Sequence, residues 1–226
     1  MGNQANGIVL DEQAQLNLEG NLCSVNEDNG IIYLDQTAGA AKQNICNGNN
    51  QDGIHVTGFA RPLLESNTCR ENGGAGIVFL ANASGIANKN ICCNNQENGI
   101  HVGDQAEPTL ESNLCQANQE SGIAYRSIAA GIARANTCAK NQVNGIVLVD
   151  RAAPLLEANI CQENGGVGIA YFDAVEGAAR ANICISNQDA GIYVASTAQP
   201  SVENNQCENN QDGDVIDERR KSWWVR

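Results

Sequence analysis

The sequence predicts an all-β fold, a single-stranded parallel β-helix of 23-residue coils, and three features of the chain predict it. The dipeptide Gly-Ile recurs in one register at Gly7, Gly30, Gly53, Gly76, Gly99, Gly122, Gly145, Gly168 and Gly191, always 23 residues apart and without an insertion or deletion. With that Gly as position 0, position 1 is always Ile and position 3 always apolar, the alternation of a strand with one buried face. Positions 14, 16 and 19 hold Asn, Cys and Asn in every repeat. Twenty-three residues cannot hold two helices and their turns, which excludes a helical solenoid. Nine coils stacked about 4.8 Å apart make a rod of roughly 40 Å, and a partial tenth coil begins at Asp214.

Each segment of the repeat has its own reason. Residues 1–6 lack the basic start and apolar stretch of a secretory signal. Positions 0–4 read as the first strand. Position 9 alternates between Gly39, Gly85, Gly131, Gly177 and Pro62, Pro108, Pro154, Pro200. A second strand spans positions 10–13. Its position 11 is Ala41, Ala87, Ala133 or Ala179 where position 3 is Tyr33, Phe79, Tyr125 or Tyr171, and mostly Leu where position 3 is aliphatic. The two positions are expected to face each other across the bore, so that each layer keeps a near-constant volume. Position 12 alternates in charge (Glu19, Lys42, Glu65, then Glu111, Arg134, Glu157, Arg180, Glu203), which turns a repelling column into surface pairs.

Position 14 is the column Asn21, Asn44, Asn67, Asn90, Asn113, Asn136, Asn159, Asn182 and Asn205. A third strand spans positions 15–17 and carries Cys23, Cys46, Cys69, Cys92, Cys115, Cys138, Cys161, Cys184 and Cys207 on one inward column. Their Cβ atoms are expected one strand spacing apart, beyond the ~3.5–4.5 Å of a disulfide. Stacked parallel thiols do not converge on a tetrahedral ion, so neither a metal nor another cofactor is expected. Cys93 is the odd cysteine, expected outward and, if any is, reactive. Unpaired buried thiols favour a reducing, cytoplasmic setting. Residues 1–216 form the rod and carry 9 bases and 24 acids, net −15. Residues 217–226 form a basic tail with both tryptophans, in which Trp223 and Trp224 are expected to cap the last coil or the apolar face.

The run Pro108 to Asn118, with Gly99 to Val102 ahead of it, resembles the parallel β-helix repeat of the pectate-lyase-like superfamily, closest to its carbohydrate-binding and sugar-hydrolase type of repeat domain. The resemblance covers about nine tenths of the chain. It implies a right-handed helix, an asparagine ladder at position 14 with Asn in the left-handed conformation, and function on the outer face of the first strand. The family's usual amphipathic cap helix does not fit in residues 1–6, which implies a fragment of a larger protein. The catalytic motifs of the polygalacturonases and pectate lyases are absent from this sequence.

On that outer face, Ile32, Leu34, His55, Val78, Leu80, His101, Val147, Val149, Phe172 and Tyr193 form an apolar stripe unlike a solvated surface. The expected function is therefore a non-catalytic structural or interaction module. Its partner through the stripe is a second copy or another protein. A carbohydrate-binding or polysaccharide-degrading β-helix is the alternative, with His101 and Asp104 as its candidate catalytic pair. An engineered near-consensus repeat is a third reading. The net charge of −13 argues against nucleic acid or an anionic membrane as partner, and no apolar run approaches the ~18 residues of a span.

Overall fold

The computed structural model describes residues 2–219, which form 28 short strands in three parallel sheets. The sheet of first strands has ten members, from Ile8–Leu10 to Gly213–Asp217, and the sheets of second and third strands have nine each. Every strand pairs with its counterpart one coil away, in strict register: Ile77 with Ile100, Ala87 with Leu110, Cys92 with Cys115. The partial tenth coil pairs through Val215 with Ile192. Trp223 and Trp224 lie outside the described residues.

The bore is closed by the predicted columns. Ile at position 1 is fully buried from Ile31 to Ile192, and Tyr33, Phe79, Tyr125 and Tyr171 share one core cluster with Ala41, Ala87, Ala133 and Ala179. All the column cysteines belong to that core, with Cys207 partly exposed at its end, and all ten cysteines are free thiols. The charge alternation at position 12 forms Lys42–Glu65 at 2.8 Å and Arg134–Glu111 at 3.1 Å. These pairs are solvent-exposed, so each contributes at most about 1 kcal/mol.

Two corrections concern the turns. The left-handed residue at the corner is not Asn but the residue before it, for example Ser112 (φ 54°) before Asn113 and Ala135 (φ 53°) before Asn136. The corner recurs at position 18, where Ala117 (φ 55°) precedes Asn118. Ala and Ser in this region cost roughly 1–2 kcal/mol each, and the following Asn offsets that cost. Asn118 donates Nδ2 to Asn141 Oδ1 (2.9 Å) and to Cys92 O (3.1 Å), while its backbone N–H also reaches Asn141 Oδ1 (3.1 Å). Asn113 makes the same set with Asn136 and Ala87 O. Position 19 is thus a second complete ladder, equal to the one at position 14. The first strand is also shorter than positions 0–4, for example Ile100–Val102, because position 0 lies in the turn.

The Gly columns have separate causes. A Cβ on Gly99 would lie 2.8 Å from Cys115 Cβ and 2.6 Å from Gly122 O, so position 0 is set by close packing of coil on coil. At position 9, Gly131 has φ +100° and its Cβ would meet Pro108 O at 2.3 Å, so strain and space both exclude a side chain. The same contact links Gly85 to Pro62 and Gly177 to Pro154, and sets Gly39 against Leu16, so the Gly of one coil fits the backbone of the coil below.

Two stability predictions follow from these contacts. Asn118→Ala removes both donors and the acceptor for Asn95, leaving buried partners unmade, and should cost about 3 kcal/mol in a denaturant-unfolding experiment. The buried hydroxyl of Tyr125 has no hydrogen-bond partner, so Tyr125→Phe should leave stability unchanged or raise it by about 1 kcal/mol.

Candidate functional site

The outer face of the first sheet is where side chains depart from the repeat. In each coil the residue before the position-0 Gly tends to cap its neighbour: Asp52 N–H donates to Asn29 Oδ1, Ser121 N–H to Asn98 Oδ1 and Val167 N–H to Asn144 Oδ1. Asp52 occupies this column and has a second partner. Its Oδ1 accepts from Ala75 N–H at 2.8 Å, and its Oδ2 lies 2.8 Å from His55 Nδ1. Gly74 makes room for this carboxylate, since a Cβ there would sit 2.4 Å from Asp52 Oδ1. The contact orients the His55 ring, with Nδ1 facing the carboxylate and Nε2 as the other ring nitrogen.

Two coils on, His101 is half-buried on the same column. A Cβ on Gly103 would meet His101 Nε2 at 3.1 Å and Leu80 at 2.8 Å, so Gly103 creates the space for the imidazole. Burial first, and then the Arg126 guanidinium, hold the His101 pKa below its usual value, against the opposing charges of Asp52, Glu120 and Asp104. Glu97 is pushed the other way, above the usual carboxylate range, by loss of solvent and then by the carboxylates of Asp52 and Glu120. Glu120 Oε2 is held by Asn98 Nδ2 at 2.7 Å. The face therefore offers a carboxylate-oriented imidazole, an imidazole whose burial disfavours its charged form, a carboxyl that keeps its proton to higher pH, and the Arg126 guanidinium: the parts of general acid–base chemistry.

Of the residues expected from sequence, His55 and His101 lie on this face, with Val78 between them on the same sheet column. No hydrogen bond joins His101 to Asp104. The Asp104 Oδ2 accepts from Ala81 N–H at 3.0 Å, and Asp150 serves Ser127 N–H in the same way at 2.8 Å. Asp104, Ser127 and Asp150 line a groove of about 740 Å³ along the edge of the sheet, with Gln105, Ile128 and Arg151. The two carboxylates are two coils, or about 10 Å, apart, at the outer edge of the separation of an inverting glycosidase.

The apolar stripe is less open than its composition implies. Val78 and Val147 are 5% and 8% exposed, and Val147 packs in a second apolar cluster with Ala124, Val167 and Ala170. In-register stacking lets each side chain cover the next. Val149, Phe172, Tyr193 and Ile216 are half-buried against this cluster, and the rings of Phe172 and Tyr193 lie 5.4 Å apart, tilted by 43°. Ile32, Leu34 and Leu80 are half-buried at the other end. Cys93 is half-buried, and burial raises its pKa above that of an ordinary thiol. Sequence reasoning missed Asp52, Glu97 and Glu120. The signal for Asp52 was its place three residues before His55.

The model of the right-handed β-helix region matches residues 6–155 and 116–221. The chain belongs to that family. No curated protein matches by sequence. Among solved structures, this β-helix is similar to the A-module of the Azotobacter vinelandii mannuronan C-5 epimerase AlgE4, with 14% identity and a TM-score of 0.71 over 87% of this chain and 62% of that one. It is also similar to the periplasmic alginate epimerase AlgG, with 13% identity and a TM-score of 0.67 over 88% of this chain and 60% of that one. The Agl-KA catalytic domain follows at 9% identity and a TM-score of 0.51, covering 94% and 54%. At these identities the likeness is one of fold, and the chain spans about three fifths of the length of the epimerases. No helix among the described residues is long and apolar enough to cross a membrane.

The electrostatics give a testable sign. Arg126→Ala removes a charge that disfavours imidazolium, so the His101 pKa should rise in an NMR titration of its ring protons. Because the folded-state pKa lies below the ordinary histidine value of 6.5, the unfolded state binds the proton more readily. His101 should therefore reduce stability as pH falls through and below about 6.5, and Arg126→Ala should weaken that loss.

Proposed function

We propose that the outer face of the first sheet binds a polysaccharide laid along the rod, and that the chain is the β-helix of a carbohydrate-active protein. The Asp52–His55 pair carries this reading. Nothing in the repeat requires it, and the charges of Glu97, Glu120 and Arg126 act on the same face, where His101 also lies. The half-buried Phe172–Tyr193 pair farther along supplies an apolar surface for sugar rings. The epimerases with a similar fold act, by their names, on mannuronan and on alginate, which supports a glycan as ligand. The net charge of −13 and the carboxylates on this face favour an uncharged glycan over a polyuronate.

Binding and turnover should be measured on a panel of neutral and acidic polysaccharides. Wild-type protein should bind a neutral glycan, and His55→Ala or His101→Ala should weaken binding or turnover at least tenfold with an unchanged melting temperature. Equal behaviour of wild type and both variants across the panel would remove this reading.

The second apolar cluster favours a second reading, a protein cover over Phe172, Tyr193 and Ile216. In that case sedimentation would show a dimer or larger species with rising concentration, and Phe172→Ser would return it to monomer.

A further inference from the structure

We propose that the column of cysteine thiols inside the rod is a binding site for soft divalent ions that take two sulfur ligands in a line, with mercury(II) as the type. Cys23 pairs in register with Cys46, Cys46 with Cys69, and so on to Cys184 with Cys207. No thiol in the column is consumed by a disulfide. Cys92 lies in register with both Cys69 and Cys115, and all three are buried in the same core. Successive sulfurs are thus set by the strand spacing of about 4.8 Å. A linear sulfur–metal–sulfur unit spans two metal–thiolate bonds; taking about 2.3 Å as the scale of each, it needs about 4.6 Å. The coil spacing supplies that length without moving the backbone. The Cβ–Sγ bonds point into the bore while the rod axis runs across them, so an ion between two coils meets each sulfur side-on.

A tetrahedral ion finds no such place. Among the described residues no group of three or more His, Cys, Asp or Glu side chains converges on a metal position. Charge then selects among linear ions. A divalent ion and two thiols give a neutral bis-thiolate and two protons, R–SH + R–SH + Hg²⁺ → R–S–Hg–S–R + 2 H⁺, with no change in oxidation state. A monovalent ion leaves a net negative charge in an apolar bore that cannot solvate it. Thiolate softness adds to the preference. The flanks of the column are sealed, and Cys207 is partly exposed at one end, so loading proceeds from an end.

The parity of the column makes the proposal testable. Nine thiols in one file make four separate neighbouring pairs. Replacing Cys115 leaves two files of four thiols and still four pairs. Replacing Cys138 leaves files of five and three, and three pairs. The full chain carrying Cys93→Ser should be titrated with mercury(II) chloride, alone and with Cys115→Ala or Cys138→Ala added, without any other thiol for the proton count and against a competing small thiol for the count of bound metal. Bound metal, released protons, far-UV circular dichroism and X-ray absorption are the readouts. The proposal expects four ions per chain in the parent and in Cys115→Ala but three in Cys138→Ala. It also expects two protons per ion, two sulfur ligands, and a retained β signal with a raised melting temperature. Equal loading of the two variants, one proton per ion, or uptake only with loss of the β signal would overturn it. The two substitutions remove the same atoms from adjacent coils that differ at positions 3, 9 and 11, so the β signal and melting temperature of each metal-free variant separate a loss of folding from the loss of a pair.

Discussion

The side-chain amide of asparagine, stacked coil upon coil, is the interaction on which the rest of this structure depends. In the interior of both ladders, from Asn44 to Asn182 and from Asn49 to Asn187, each amide donates both protons, one to the next Asn and one to a main-chain carbonyl, and accepts on its oxygen from the Asn of the coil before. Nothing else at the corner could satisfy the polar groups that two sharp turns bury. The corner also needs a residue in the left-handed region just ahead of the Asn. One added residue between the ladders would take the Asn out of line in that coil and strand the donors of its neighbours. That penalty is why the 23-residue period carries no exception.

A fixed period gives the outer face its precision. Side chains at one position recur at one spacing, so function is written by exceptions within a column. Asp52 replaces the Asn of Asn29 and Asn98, and adds a histidine partner to the capping it inherits. Gly74 and Gly103 remove side chains where the exceptions need room. The rod supplies rigidity, and the face can carry a hydrogen-bonded pair because each partner is held by a coil that is itself held by two ladders.

Repetition made most of the fold legible before any coordinates. The Gly-Ile interval, the complementary volumes at positions 3 and 11 and the Cys column translate directly into strand, bore and stack. The left-handed residue was misplaced because its identity is free: Gln43, Lys89, Ser112 and Ala135 share no side-chain chemistry, and only the Asn that follows marks the corner. The site was half legible. His55 and His101 stand out as rare residues on a named strand face, but Asp52, Glu97 and Glu120 lie in the preceding turn, where acids are common and position alone confers no partner. Asp104 was drawn to His101 by sequence proximity, whereas its oxygen is taken by the backbone of the coil below.

The ladders also run one way. Asn113 donates to Asn136 as Asn118 donates to Asn141, and the same direction holds from Asn21 to Asn205 and from Asn26 to Asn210. Amide dipoles aligned head to tail add, as peptide dipoles do in an α-helix, and each polarises the next. The rod is therefore an electrical object with two unlike poles, oxygen-terminated where the chain begins and N–H-terminated where it ends. Its two ends are chemically distinct even where the coils are nearly identical, and an ion or a neighbouring rod approaching along the axis meets a field whose sign depends on which end it reaches.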